Sequence, residues 1–262
     1  LQIHLLGHFE LIVDGELLAS LRQARLQSLL AYLILHRQKP QSRRQLAFLF
    51  WPDSNEKQAQ GNLRRALSAL RGALPTAEHF LAMDGHAVQW HPDIPWSLDV
   101  VQFEQHLGRA ERARQEGNAA EEFAELNLAV ELYEGDLLPD CYDDWVVAGR
   151  EQLRERFLEA LARLVDGLEQ AREYTAAIRQ ANRLLRLDPL HEETYCRLMR
   201  LHMLCGDRAG ALRTYHTCAA ALQRELGVEP SQRTQEAYAR LFHLETAPST
   251  PSPVLSPRTR AG

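Results

Sequence analysis

Long apolar runs are missing from this sequence of 262 residues. Nowhere do about 18 apolar residues follow one another, so no membrane-spanning helix is expected. The opening segment, residues 1–7, has no basic n-region and no long apolar stretch. That argues against a secretion signal and for a cytoplasmic protein. Cysteine is scarce: Cys141, Cys196, Cys205 and Cys218 are irregularly spaced and include no Cys-x-x-Cys pair. They read as reduced thiols. His191, His202 and His216 lie near three of them but without ligand spacing, so packing is expected there and no metal. The phosphate-loop, Gly-x-Ser-x-Gly and His-Glu-x-x-His signatures are also absent, and neither a cofactor nor an enzymatic activity is expected. Asp143-Asp144 precedes Trp145 and a long amphipathic stretch, where a helix cap is the better reading than a catalytic pair. Tyr133, Tyr142 and Trp145 read as core anchors.

What is present is an ordinary folded composition, 45% hydrophobic and 25% charged, in a chain long enough for two cores. Its net charge of −5 is unevenly placed. Residues 1–100 hold ten Lys/Arg against nine Asp/Glu, whereas residues 101–262 hold twenty against twenty-six. Between Arg37 and Arg71, eight cations face only Asp53 and Glu56. An acidic protein with one basic stripe suits local contact with a polyanion.

The first twenty residues alternate as strands, with Asp14-Gly15 supplying a hairpin turn. Helical periodicity begins at residue 25, where Leu26, Leu29, Leu30, Leu33 and Ile34 share a face, and it ends before Pro40. Ser42-Arg43-Arg44-Gln45 is a capping-box pattern opening a short apolar helix (Leu46, Leu49, Phe50, Trp51) that stops at Pro52. A third helix opens at Asp53-Ser54-Asn55-Glu56. It carries Leu63, Leu67, Leu70 and Leu74 on one stripe and ends at Pro75. A second hairpin follows around Asp84-Gly85, and Pro92, Pro95 and Trp96 mark a junction. Beyond Leu98 helical period dominates to about His243, with no further strand expected. A helical hairpin at about 99–133 comes first. Leu161, Leu164, Leu168, Ala177 and Ala181 then recur 34 residues later as Tyr195, Leu198, His202, Ala211 and Tyr215, the period of a tetratricopeptide helix pair. Pro189 closes the first unit and Pro230 the second, seven residues late, so the last helix should run about two turns longer. The four prolines of residues 246–262 read as a disordered tail or linker.

The expected fold is therefore mainly α with a small β component. A winged helix-turn-helix domain occupies residues 1–95, tetratricopeptide-like repeats occupy 98–245, and the tail is 246–262. In a winged helix the third helix enters the major groove, whose edges distinguish all four base pairs. Arg64, Arg65, Ser68 and Arg71 lie opposite the leucine stripe of that helix, and Lys57 stands near its front. Arg43 and Arg44 open the preceding helix, where backbone phosphates would run, and His86 sits at the wing tip. These eight are the expected contacts to double-stranded DNA. The rival reading is a repeat scaffold for protein partners whose winged helix does not read DNA.

Two sets of residues carry a family resemblance. The first is Ile3-His4-Leu5-Leu6-Gly7-His8-Phe9, Val13-Asp14-Gly15 and the run from Asn62 to Arg71. The second is Leu198-Met199-Arg200-Leu201-His202, the run from Gly206 to Tyr215, and Glu225-Leu226-Gly227-Val228-Glu229-Pro230. Over residues 1–245 the chain resembles the Streptomyces antibiotic regulatory protein (SARP) family, with its winged helix and bacterial transcriptional activator domain. The resemblance implies an activator that binds direct repeats in promoters, self-associates on DNA and contacts RNA polymerase. The tip Asp84-Gly85-His86 departs from the Gly-Tyr ending of that family's wing.

Overall fold

The computed structural model describes residues 1–18, 20–74, 77–91 and 95–243. The stop at Pro75, the junction residue Pro92 and the tail 246–262 lie outside them. The chain packs as two compact units, Leu1–Leu164 and the residues from Val165 onward. The composition break at residues 95–98 thus falls inside the first unit.

That unit opens with β1 (Gln2–His4), β2 (Glu10–Val13) and β3 (Glu16–Leu17). Asp14 and Gly15 both take positive φ (52° and 85°), as the tight turn between β2 and β3 demands. The sheet has a fourth member, β7 (Ser97–Leu98), which runs parallel to β1 with Ile3 opposite Leu98. The sequence reading has no strand at these two residues, which close the junction just before the helical stretch begins. Two residues carry no alternation to read, and it is the partner strand that makes them a strand.

Helix α1 (Ala24–Leu35) buries the five apolar residues expected of it. β4 (Gln41–Ser42) precedes α2 (Arg43–Phe50). It pairs with β6 (Ala87–Trp90), which in turn pairs with β5 (Leu81–Met83). Ser42 caps α2 by accepting the Gln45 N–H, at 3.4 Å. Of the apolar run in α2, Leu46, Ala47 and Phe50 are buried, whereas Phe48 and Leu49 are 41% and 40% exposed. Helix α3 (Glu56–Ala73) starts at Asn55, which accepts the Gln58 N–H, and its leucine stripe is buried throughout.

Helices α4 (Asp99–Gln115), α5 (Ala119–Leu132) and most of α6 (Asp144–Gln170), as far as Leu164, complete the first unit. Tyr133 is a core anchor, stacked on Phe157 at 4.1 Å. Asp99, 3% exposed, accepts the N–H groups of Leu5, Leu6 and Val100 at 2.7–2.8 Å. The chain passes Gly7 and Gly135 so closely that a Cβ on Gly135 would lie 2.9 Å from the Gly7 Cα. The Gly7 N–H donates to the Asp136 carbonyl there. Two expectations at residues 142–143 need correction. Tyr142 is 89% exposed and anchors nothing in the core. The Asp143 carboxylate is turned to α1, where it accepts from Ser28 Oγ and the Arg25 guanidinium. Trp145 is half-buried and adds an indole N–H to Ser28 Oγ.

In the second unit the repeat takes the expected form. Helices α7 (Tyr174–Leu187), α8 (Glu192–Leu204) and α9 (Arg208–Leu226) follow the end of α6, and α10 (Gln232–His243) closes the series. Ala177 and Ala211 are fully buried at the helix approaches. Helix α9 has 19 residues against 14 in α7, an excess of about one and a half turns and not two. Gly227, at φ 69°, ends it three residues before Pro230. His202 and Tyr215 are only half-buried at their repeat positions. His202 pairs with Asp207, and Tyr215 stacks on Tyr238 of α10 at 3.9 Å.

Candidate nucleic-acid interface

The leucine stripe fixes the rotation of α3, and with it which side chains face outward. Leu63, Leu67 and Leu70 are at most 2% exposed, while Lys57, Arg64, Arg65, Ser68 and Arg71 are exposed. Lys57, Arg64 and Arg71 are spaced by seven residues, two turns each, so they share one line along the helix. The wing and the start of α2 meet this line. A cleft of about 370 Å³ is lined by Arg43, Arg44, Arg64, Gly85 and His86 among others. A second, of about 190 Å³, continues past Arg43, Arg64, Ser68 and Arg71 to Asp84. Six of the eight expected residues therefore border one continuous surface.

The remaining two differ. Lys57 is on the same line of α3 but borders neither cleft. Arg65 is a quarter-turn away, with its guanidinium donating to Asn62 Oδ1 at 2.6 Å, and it lines neither cleft.

Not all the cations in the cleft are equally free for a new anion. The Arg43 guanidinium donates to the Asp84 carbonyl at 2.9 Å, and its backbone N–H donates to the His86 carbonyl at 2.8 Å. Arg43 thus holds the wing against α2 while bordering the cleft. Arg44 pairs with Glu56 at 3.0 Å and lies over the Phe48 ring. That ion pair is exposed on both sides, so it opens at little cost. From the same basic stripe, Arg37 is turned to the Trp96 ring at 5.5 Å.

Sequence reasoning missed two members of this surface. Gln60 lines the larger cleft one turn before Arg64. Asp84 brings a carboxylate into the smaller one, accepting the N–H groups of His86 and Ala87 at 2.6 Å each. Those two bonds hold its carboxyl below the usual aspartate range, so it stays charged. The Asp-Gly turn was the available signal, because such turns are built by an Asp accepting the N–H groups that follow it. In chemical terms, the surface offers guanidinium forks to phosphate or guanine, a short hydroxyl for close approach, and one carboxylate acceptor.

Residues 98–242 match the bacterial transcriptional activator domain family. The chain belongs to that family. Among curated relatives, the regulatory protein AfsR of Streptomyces coelicolor is 27% identical over 248 residues, 94% of this chain. AfsR of Streptomyces griseus is 24% identical over 96% of it. The regulatory protein DnrI of Streptomyces peucetius is 30% identical over 58% of it. The chain spans about a quarter of the length of each AfsR and 54% of DnrI. A solved structure, Mycobacterium tuberculosis EmbR in complex with a low-affinity phosphopeptide, has the same fold. It aligns with a TM-score of 0.72 at 21% identity, covering 93% of this chain and 65% of that one. The fold is thus a winged helix followed by a tetratricopeptide-like helical domain. Among the described residues, no helix is long and apolar enough to cross a membrane.

Proposed function

We propose that this SARP-family chain is a sequence-specific reader of promoter duplex that lays α3 in the major groove and activates transcription by engaging RNA polymerase. The observation that carries the reading is the convergence of Arg43, Arg44, Arg64, Ser68, Arg71 and His86 on one outward surface. They come from three segments, and no carboxylate but Asp84 lines the clefts among the described residues. Arg64, central to both clefts, is the residue placed to reach a base edge. Arg43 and Arg44 at the start of α2 and His86 at the wing flank it as backbone contacts. Lys57 and Arg65, outside the clefts, add general attraction to phosphate. Membership of an activator-domain family supports activation through RNA polymerase. Tandem copies on direct repeats are the arrangement that family implies.

The test compares Arg64→Ala with Arg65→Ala in gel-shift titrations on a selected site and on unrelated duplex. Arg64→Ala should lose about 1–3 kcal/mol on the selected site only, the worth of one bidentate base contact. Arg65→Ala should weaken both duplexes about equally and reduce the salt slope by about one. Unchanged binding in Arg64→Ala, with the fold intact by circular dichroism, would overturn the assignment. Binding that is insensitive to salt would favour the scaffold reading instead.

A further inference from the structure

We propose that the groove between α7 and α9 is a docking site for an acidic, extended peptide segment of a partner protein. This inference does not depend on duplex binding by α3. The groove has a volume of about 950 Å³, and three arginines line it, Arg186 from α7 and Arg213 and Arg224 from α9, together with His202 from α8 and His216 from α9. Among the described residues, no carboxylate lines it.

The spacing along α9 gives the groove its length and direction. Arg213, Thr217, Ala220 and Arg224 fall at i, i+4, i+7 and i+11, on one face. Eleven residues of helix span about 16 Å. A peptide in extended form covers that distance with about five residues. Arg213 and Arg224 would then stand at opposite ends, with Arg186 across the slot. Between them the floor is apolar and shallow-walled, made by Ala220, Ala221, Leu185 and the edges of Tyr195 and Leu198. Thr214 and Thr217 donate their hydroxyls back to the Gly210 and Arg213 carbonyls, so the arginine guanidinium groups are the charged donors offered to a guest.

Carboxylates do stand nearby, and their positions matter. Asp207 accepts the Gly210 N–H, which is the main cause holding its carboxyl below the usual range, and it pairs with His202 at 3.0 Å. Gly210 is what admits this arrangement: a Cβ there would lie 2.2 Å from an Asp207 oxygen. Asp207 is 3.8 Å from Arg213, and Glu225 is 2.8 Å from Arg224. In each pair the arginine is 71% exposed and the acid more than 40% exposed. Such pairs exchange readily for a better-placed carboxylate.

Charge and shape together select the guest. A guanidinium fork accepts a carboxylate with two parallel bonds, and three of them around a slot suit several acidic side chains. A duplex has phosphates on a broad convex surface and offers nothing to cover an apolar floor. An acidic peptide with interspersed apolar residues satisfies both. The acidic stretch of a second copy is the alternative guest, since residues 99–164 hold sixteen Asp/Glu against seven Arg.

The experiment uses the full chain and a fluorescein-labelled octapeptide of alternating Asp and Leu, followed by anisotropy. The expected result is saturable, salt-sensitive binding that weakens about tenfold or more in the double variant Arg213→Ala/Arg224→Ala. Arg233→Ala on α10 should leave it unchanged. Circular dichroism checks that the double variant is folded, as the exposure of both side chains leads one to expect. No saturable binding, or equal binding by the double variant, overturns the proposal. So does displacement of the peptide by an unlabelled duplex when Arg64→Ala leaves that displacement intact, which would make the groove a nucleic-acid site. Self-association in sedimentation that the double variant abolishes also overturns it, by naming a second copy as the guest.

Discussion

Asp99 accepts three backbone N–H groups in a space where water does not reach. Burial raises its carboxyl above the usual aspartate range, and the bonds from Leu6, Leu5 and Val100 oppose that rise. Replacing it by Ala orphans the N–H groups of Leu5 and Leu6 at the end of β1. At about 1–3 kcal/mol for each, Asp99→Ala should destabilise the first unit by about 3 kcal/mol or more, read from the urea midpoint of the full chain. A midpoint within error of the unsubstituted protein would show that the bonds are dispensable. Cys218 offers a chemical check on burial. It is fully buried, and desolvation pushes its thiol up to about 12, whereas Cys205 is exposed. Iodoacetamide, which attacks the thiolate, should label Cys205 first and Cys218 only after unfolding. Comparable rates at the two sites in peptide mapping would contradict that. At this scale the sequence was informative where a residue's role is set by its own helix. Arg64 and the burial of Leu67 follow from helical spacing. Asp99 and Asp143 were missed or misread because their partners lie about a hundred residues away and local pattern carries no trace of them, whereas the Asp-Gly turn did announce the bonds of Asp84.

The helices were legible because amphipathic stripes and their stops are local. β4 and β7, at two residues each, were not. Helix α3 tests the first kind of inference. Leu67→Asp places a carboxylate among the buried leucines of the stripe and should unfold the first unit, losing several kcal/mol. A thermal melt unchanged from the parent would mean the helix is rotated from the orientation described. Helix α10 tests the second kind, since what holds it is a contact no periodicity announces. Glu192, at the start of α8, accepts the Ser231 N–H and both the Ser231 and Thr234 hydroxyls. Burial raises its carboxyl, but those bonds outweigh burial and leave it below the usual glutamate range. The sign follows: a depressed value means stability present above the ordinary glutamate range and lost as pH falls through the depressed one. Glu192→Gln should therefore loosen residues 232–243 at neutral pH, seen as faster amide exchange. The stability gap between variant and parent should close on acidification. A gap that persists in acid would assign the effect to shape and not to charge.

Under the proposed promoter reading, a single winged helix covers only a few base pairs, and selectivity then calls for a second copy. Half-sites on one face of the duplex lie about 10–10.5 bp apart or a multiple of that. Inserting about five base pairs between direct repeats turns one site to the opposite face and should abolish joint occupancy in footprinting. Full-affinity binding to the expanded site, or a palindromic footprint, would reject the tandem arrangement.

The seam seen in composition at residues 95–98 is crossed by β7, by the Asp99 bonds to Leu5 and Leu6, and by the contact of Gly7 with Gly135. Heredity must respect those crossings. A recombination event that exchanged the winged-helix half between two relatives at this seam would bring together a Gly7 loop and a residue-135 loop that had never been fitted to each other. Any side chain larger than hydrogen at either position would hold them apart. Specificities in such a lineage should therefore be traded as the whole stretch from residue 1 through the first turns of α6, or altered by point changes on α3.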